Sequence, residues 1–138
     1  MKFYLFFILI ALFFSSCLKE GDYHYKVMDF VHITEVSIPD SCMVSDTLKI
    51  NATATETNGC WKDLYFDFVK KSDTTYSLAA YGTFESYGSC PDEIVSIDTL
   101  IEIIPTIPSE YVFYVARDAY TLQTDTVIVW PDTTSVKK

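Results

Sequence analysis

From residue 31 onward, apolar and polar residues alternate in short runs separated by turn-forming clusters. This is the two-residue period of half-buried strands. The clearest run is residues 47–55, where Leu48, Ile50, Ala52 and Ala54 alternate with Lys49, Asn51, Thr53 and Thr55. The first set is expected on a core face. Residues 63–70 repeat the pattern, with Leu64, Phe66 and Phe68 inward and Tyr65 and Asp67 outward. Residues 31–38 change phase near Glu35, which predicts a bulge. Residues 76–84, 94–104, 111–116 and 123–130 complete the set. Seven strands in about 100 residues, with turns every 8–12 residues and no helical periodicity, predict an all-β fold. The architecture is expected to be an antiparallel β-sandwich, with a small closed barrel as the alternative. Thr57-Asn58-Gly59 is expected to turn the chain with positive φ.

The N-terminal pattern differs. Lys2 precedes an apolar run over residues 3–14, followed by Ser15, Ser16 and Cys17. A charged start, an apolar core and small residues before a cleavage point make a secretory signal peptide. The Cys at that point makes it a lipoprotein signal, with Cys17 acylated as the new N-terminus. A membrane span needs about 20 apolar residues, more than this run has. Plain secretion favours a small residue where Phe14 stands. The chain thus divides into a signal peptide (1–16), a lipidated Cys and tether (17–30), a sandwich (31–131) and a polar tail (132–138).

Charge narrows the partners. Loss of Lys2 with the leader leaves 9 basic against 19 acidic residues, a net charge of −10. Nucleic acid and anionic lipid both need cationic surfaces, so neither is expected as a partner. The membrane is expected to be met through the acyl chains on Cys17. With Cys17 lipidated, Cys42, Cys60 and Cys90 remain, enough for one disulfide in an oxidising compartment. If successive strands alternate in direction, Cys60 and Cys90 lie at one pole, here called upper, and Cys42 at the other. A Cys60–Cys90 disulfide is predicted, since bridging needs Cα atoms within about 7 Å.

Chemistry is sparse. His24 and His32 stand in no recognisable nucleophile or metal motif, so no catalytic residue, metal site or cofactor is assigned. Asp63, Asp67, Asp92 and Glu93 read as a solvated acidic surface rather than a Ca²⁺ loop. The remaining candidates are Trp61, Tyr65, Tyr81 and Tyr87, on outward positions or upper loops, where exposed rings would meet a sugar face or a protein partner. The competing expectation is that Trp61 caps the core and the tyrosines cover sheet edges.

Three motifs carry resemblances. Leu18-Lys19-Glu20-Gly21-Asp22 resembles the charged export signal of surface lipoproteins in Bacteroidota. Residues 107–113, with Tyr111 and Phe113 inward, resemble the start of strand F in immunoglobulin-like domains, where a corner tyrosine bonds the preceding backbone. Phe113 stands where antibody domains have Cys, so the inter-sheet disulfide of those domains is absent. With Asn58-Gly59-Cys60-Trp61 and the later Cys90, residues 31–130 are similar to small immunoglobulin-like lipoproteins of Bacteroidota. The resemblance implies a lipid-anchored, outer-membrane, surface-exposed protein. Anchor and fold together point to a non-enzymatic module binding a glycan, a peptide or a partner envelope protein. A structural subunit or spacer without a ligand is the alternative, and a hydrolase comes last.

Overall fold

A computed structural model describes residues 23–132. The signal peptide, Cys17, residues 18–22 and most of the polar tail lie outside these residues. The described chain forms nine strands and no helix. They are β1 (Tyr25–Phe30), β2 (Ile33–Ser37), β3 (Ser41–Met43), β4 (Leu48–Glu56), β5 (Trp61–Lys70), β6 (Thr75–Ser86), β7 (Val95–Ile103), β8 (Glu110–Ala116) and β9 (Leu122–Trp130). A three-stranded sheet, β2-β4-β7, faces a six-stranded sheet, β1-β6-β8-β9-β3 with β5 on the far edge of β6.

The alternating pattern does what strand geometry requires. Leu48, Ile50, Ala52 and Ala54 are all buried on the inner face of β4. They meet Tyr76, Leu78 and Ala80 of β6, Tyr111, Phe113 and Val115 of β8, and Val127 and Val129 of β9. The lower half of the core is aromatic: Tyr76 stacks on Phe68 and Phe113, each at 5.3 Å between ring centroids. Small residues (Ala52, Ala54, Ala80) dominate the upper half, which Trp61, Leu64 and Phe66 of β5 help to fill.

Two strands exceed the predicted seven. β1 occupies residues assigned from sequence to the tether. It pairs antiparallel with the upper half of β6, Tyr25 opposite Ser86 and Phe30 opposite Tyr81. Its own alternation is masked because only Val27 and Phe30 are even half-buried. β3 is three residues long and is defined by its partner, with Cys42 opposite Val129. The strand expected over residues 76–84 runs on through Glu85 to Ser86.

The sheet is also not purely antiparallel. β3 runs parallel to β9, and the lower half of β6 runs parallel to β8. An immunoglobulin sheet places the first strand of the central hairpin beside strand F, antiparallel to it. Here the return strand β6 takes that place and β5 is displaced to the edge.

Within each sheet the pairings keep the alternation of strand direction from β4 to β9. Cys60 and Cys90 therefore meet at the upper pole and form a disulfide with Cα atoms 5.2 Å apart. Cys42 is free at the lower pole. Its thiol is pushed up by burial and by the nearby Asp46 carboxylate, which disfavours the thiolate.

Two bulges set the register. In β2 one extra residue lies between Ile33 and Glu35, where the sequence changes phase. In β5 one extra residue lies between Lys62 and Tyr65, with Asp63 at φ 51°. Asp tolerates this left-handed conformation better than most residues. The turn at Asn58-Gly59 uses no positive φ, contrary to expectation. The Asn58 side chain instead accepts the Cys60 N–H at 3.2 Å. Gly59 is required for close approach: its N–H bonds the Pro91 carbonyl at 2.9 Å, and a Cβ would lie 3.2 Å from the Pro91 side chain.

Candidate functional site: an aromatic outer face

The outer faces of the two sheets differ in chemistry. On the three-stranded sheet Lys49 pairs with Glu102 at 3.2 Å, and Thr53 donates to Asp98 at 2.7 Å. Asn51 and Thr55 continue this polar surface, which Leu100 interrupts. The upper half of the six-stranded sheet is different. There the register aligns outward positions of β1, β6 and β5 in rows.

The first row is Phe30, Tyr81 and Tyr65. Phe30 and Tyr81 lie 4.7 Å apart between centroids, and Tyr81 stacks on Tyr65 at 5.8 Å. The next row is Met28, Thr83 and Lys62. The Tyr65 hydroxyl points to the Met28 sulfur at 3.6 Å, closing the apolar surface across the two rows. Met28 and Tyr65 are exposed. This is a shallow platform of rings, three strands wide.

A charge cluster borders the platform above. Glu85, outward on β6, lies 3.0 Å from His24 Nε2, 3.3 Å from Lys62 Nζ and 3.9 Å from Lys26 Nζ. The Tyr87 hydroxyl donates to it at 3.3 Å. The hydrogen bond from His24, then that from Lys62, holds the Glu85 carboxyl at about 2, well below its ordinary value of 4.5. His24 in turn stacks on Tyr87 at 4.6 Å. One carboxylate thus ties together β1, β5, β6 and the loop leading to Cys90.

No protein-family model, no curated protein and no solved structure matches this chain. The site therefore rests on its own geometry.

The four aromatic candidates do not form one patch. Tyr65 and Tyr81 share the platform, mid-sheet rather than beside the disulfide. Tyr87 is 68% exposed at the upper pole, separated from them by Thr83 and Glu85. Trp61 is not outward. Simple alternation puts Trp61 on the same face as Tyr65, but the extra residue after Lys62 reverses the phase. Trp61 pairs with Phe84 and packs edge-to-face on it at 5.5 Å, half-buried at the upper end of the core. Gly82 makes room for this: a Cβ there would lie 3.0 Å from Val31 and 3.2 Å from both Leu64 and Trp61.

Phe30, Met28 and Glu85 complete the site and were not singled out in the sequence. Phe30 and Met28 fell in the presumed tether, and Glu85 just beyond the strand expected over residues 76–84. No clear signal marks them, since Lys26-Val27-Met28-Asp29-Phe30 mixes polar and apolar residues on both faces.

A cleft of about 470 Å³ lies elsewhere, between β2, β4 and the β8–β9 connection. Arg117 there donates to the Thr34 carbonyl at 2.9 Å, and Ile33 N–H bonds the Arg117 carbonyl at 2.9 Å. These bonds clamp the β8–β9 connection to the bulge of β2, so the guanidinium has a structural task. Among the described residues no group of His, Cys, Asp or Glu is arranged to hold a metal ion.

Proposed function

We propose that this protein is a lipid-anchored envelope lipoprotein whose domain is a non-enzymatic binding module, and that the outer face of β1, β6 and β5 is its contact face. The observation that carries this reading is the contrast between the two outer faces. Phe30, Tyr65, Tyr81 and Met28 form a ring-rich surface on one, with Tyr65 and Met28 exposed and Phe30 and Tyr81 half-buried, against a mainly polar surface that Leu100 interrupts on the other. Rings held rigid by a sheet offer contact area at little entropic cost, and their faces suit sugar rings or apolar side chains of a protein. Asp67 and Lys62 at the rim supply hydrogen-bonding groups of both signs.

The anchor rests on Lys2, the apolar leader and Cys17. Surface exposure on an outer membrane rests on Leu18-Lys19-Glu20-Gly21-Asp22. The immunoglobulin-like assignment is supported by the two-sheet architecture and by Tyr111, whose hydroxyl meets the preceding turn. The displaced β5 makes it a variant of that fold rather than a plain member.

The test is a pull-down from the native envelope with tagged, lipidated protein, run beside a glycan array. Wild type is expected to retain a partner or glycan that the double variant Tyr65→Ser, Tyr81→Ser loses by at least ten-fold. Retention unchanged by that variant removes the platform from the reading. No specific retention by wild type leaves a spacer as the better account.

A further inference from the structure

Tether length and strand direction together orient the domain. β1 starts at the upper pole, because Tyr25 lies opposite Ser86 at the end of β6. Six residue steps separate Cys17 from Tyr23. A chain spans at most about 3.6 Å per residue, so the acylated cysteine is never more than about 22 Å from the start of the domain. The same pole carries the disulfide, the Tyr87 loop and the start of β7.

That pole carries several exposed apolar and amphipathic groups. Tyr23 is 79% exposed, Tyr25 59%, Tyr87 68% and Ile94 73%. Tyrosine suits a membrane interface, with its ring among the lipid and its hydroxyl in water. The charges around these rings have both signs: Lys26 on one side, exposed Asp92 and Glu93 on the other. A mixed rim matches a zwitterionic headgroup, with its ammonium and phosphate, rather than an anionic surface. Exposed apolar groups also occur at the lower pole (Trp130, Met43 and Ile104), but a strand length of about 30 Å holds them away from the tether.

We infer that the upper pole is a bilayer-docking surface: Tyr23, Tyr25, Tyr87 and Ile94 rest in the headgroup layer of a zwitterionic membrane. The sheets then stand upright on it, with Trp130 at the outer end. This rests on the lipid anchor proposed above. It leaves the ring platform facing sideways, open to a partner on the same membrane.

The chain's two tryptophans mark the two poles, Trp61 above and Trp130 below. Lipidated protein is reconstituted in phosphatidylethanolamine-containing vesicles carrying a trace of dansyl-labelled phosphatidylethanolamine. Energy transfer is expected to be at least three-fold stronger in Trp130→Phe, which keeps Trp61, than in Trp61→Phe, which keeps Trp130. Equal transfer, or the reverse order, overturns the orientation. Hydrogen exchange on wild type needs no substitution in the core: amides of residues 86–94 should slow on reconstitution and those of residues 41–45 should not. The opposite pattern also overturns it. The triple variant Tyr25→Ser, Tyr87→Ser, Ile94→Ser should lower transfer from Trp61 at least two-fold with acylation intact; unchanged transfer means a tethered pole without docking and defeats the proposal. Mass analysis of the mature N-terminal peptide separates the failures. An unacylated Cys17 sinks the anchor and this inference with it, whereas an acylated chain with the wrong pole inward sinks this inference alone.

Discussion

The hydroxyl of Tyr111 accepts the backbone N–H of Ile107 at 3.4 Å, while its ring, 1% exposed, fills the space between the sheets. The ring and the hydroxyl therefore contribute separately. Tyr111→Phe should cost about 0.5–1 kcal/mol, because the bond is long and only one N–H loses its partner. Tyr111→Ala should cost about 3–5 kcal/mol through the cavity it opens beside Tyr76. Tyr114, outward on the same strand, should tolerate Ala for less than about 1 kcal/mol. Urea denaturation checks all three; equal costs for the two alanine variants would contradict the facing of β8.

Cys60→Ser and Cys90→Ser should destabilise alike, by about 3–4 kcal/mol in the chain-entropy account of a 30-residue loop. The double variant should be no worse than either single, since both remove one bond. Cys42→Ser should cost much less. Non-reducing peptide mapping that links Cys42 to either partner would contradict the pairing.

Glu85 predicts an acid limb. Its folded pKa of about 2 is below the ordinary 4.5, so its contribution is present above about pH 4.5 and is lost as pH falls through 2. Glu85→Gln should be less stable than wild type at pH 6, and the difference should vanish toward pH 2. High salt should shrink it, since the partners His24, Lys26 and Lys62 are exposed. A difference constant from pH 6 to pH 2 would show that the charge cluster has no part in it.

Gly82→Ala should destabilise by about 1–3 kcal/mol through overpacking against Val31, Leu64 and Trp61. Relief by Leu64→Ala in the same chain would locate the strain. No change on Gly82→Ala would mean that Trp61 moves freely, against its place in the upper core.

What the sequence disclosed followed burial. The β4 alternation, the Glu35 phase change and the inward Tyr111 were legible because each places apolar groups on one side of a strand; the disulfide was legible because short turns make strand directions alternate and bring both cysteines to one pole. β1 was not, because its partner is the long β6 and only two of its side chains are half-buried. β3 is too short to carry a period at all. Trp61 caps the core, as the competing expectation held; its outward alternative fails because one residue is extruded between Lys62 and Tyr65, of which Asp63-Leu64 gives no sign. The parallel contact of β6 with β8 was likewise invisible, since alternation fixes which way side chains face and not which strand lies alongside. The ring platform inherited two of these blind spots: it draws on β1 and on the far side of the β5 bulge.

The antiparallel pairing of β1 with β6 has a mechanical consequence. If the anchor holds Cys17, tension on the tether enters at Tyr25 and runs along β1, while load applied to the far end of the sandwich pulls β6 the other way. The ladder from Tyr25–Ser86 to Phe30–Tyr81 is then sheared, with its bonds loaded together rather than peeled one after another. Drag on a partner would thus be resisted by a whole strand at once, and the point of attachment would be among the hardest parts of the domain to pull open.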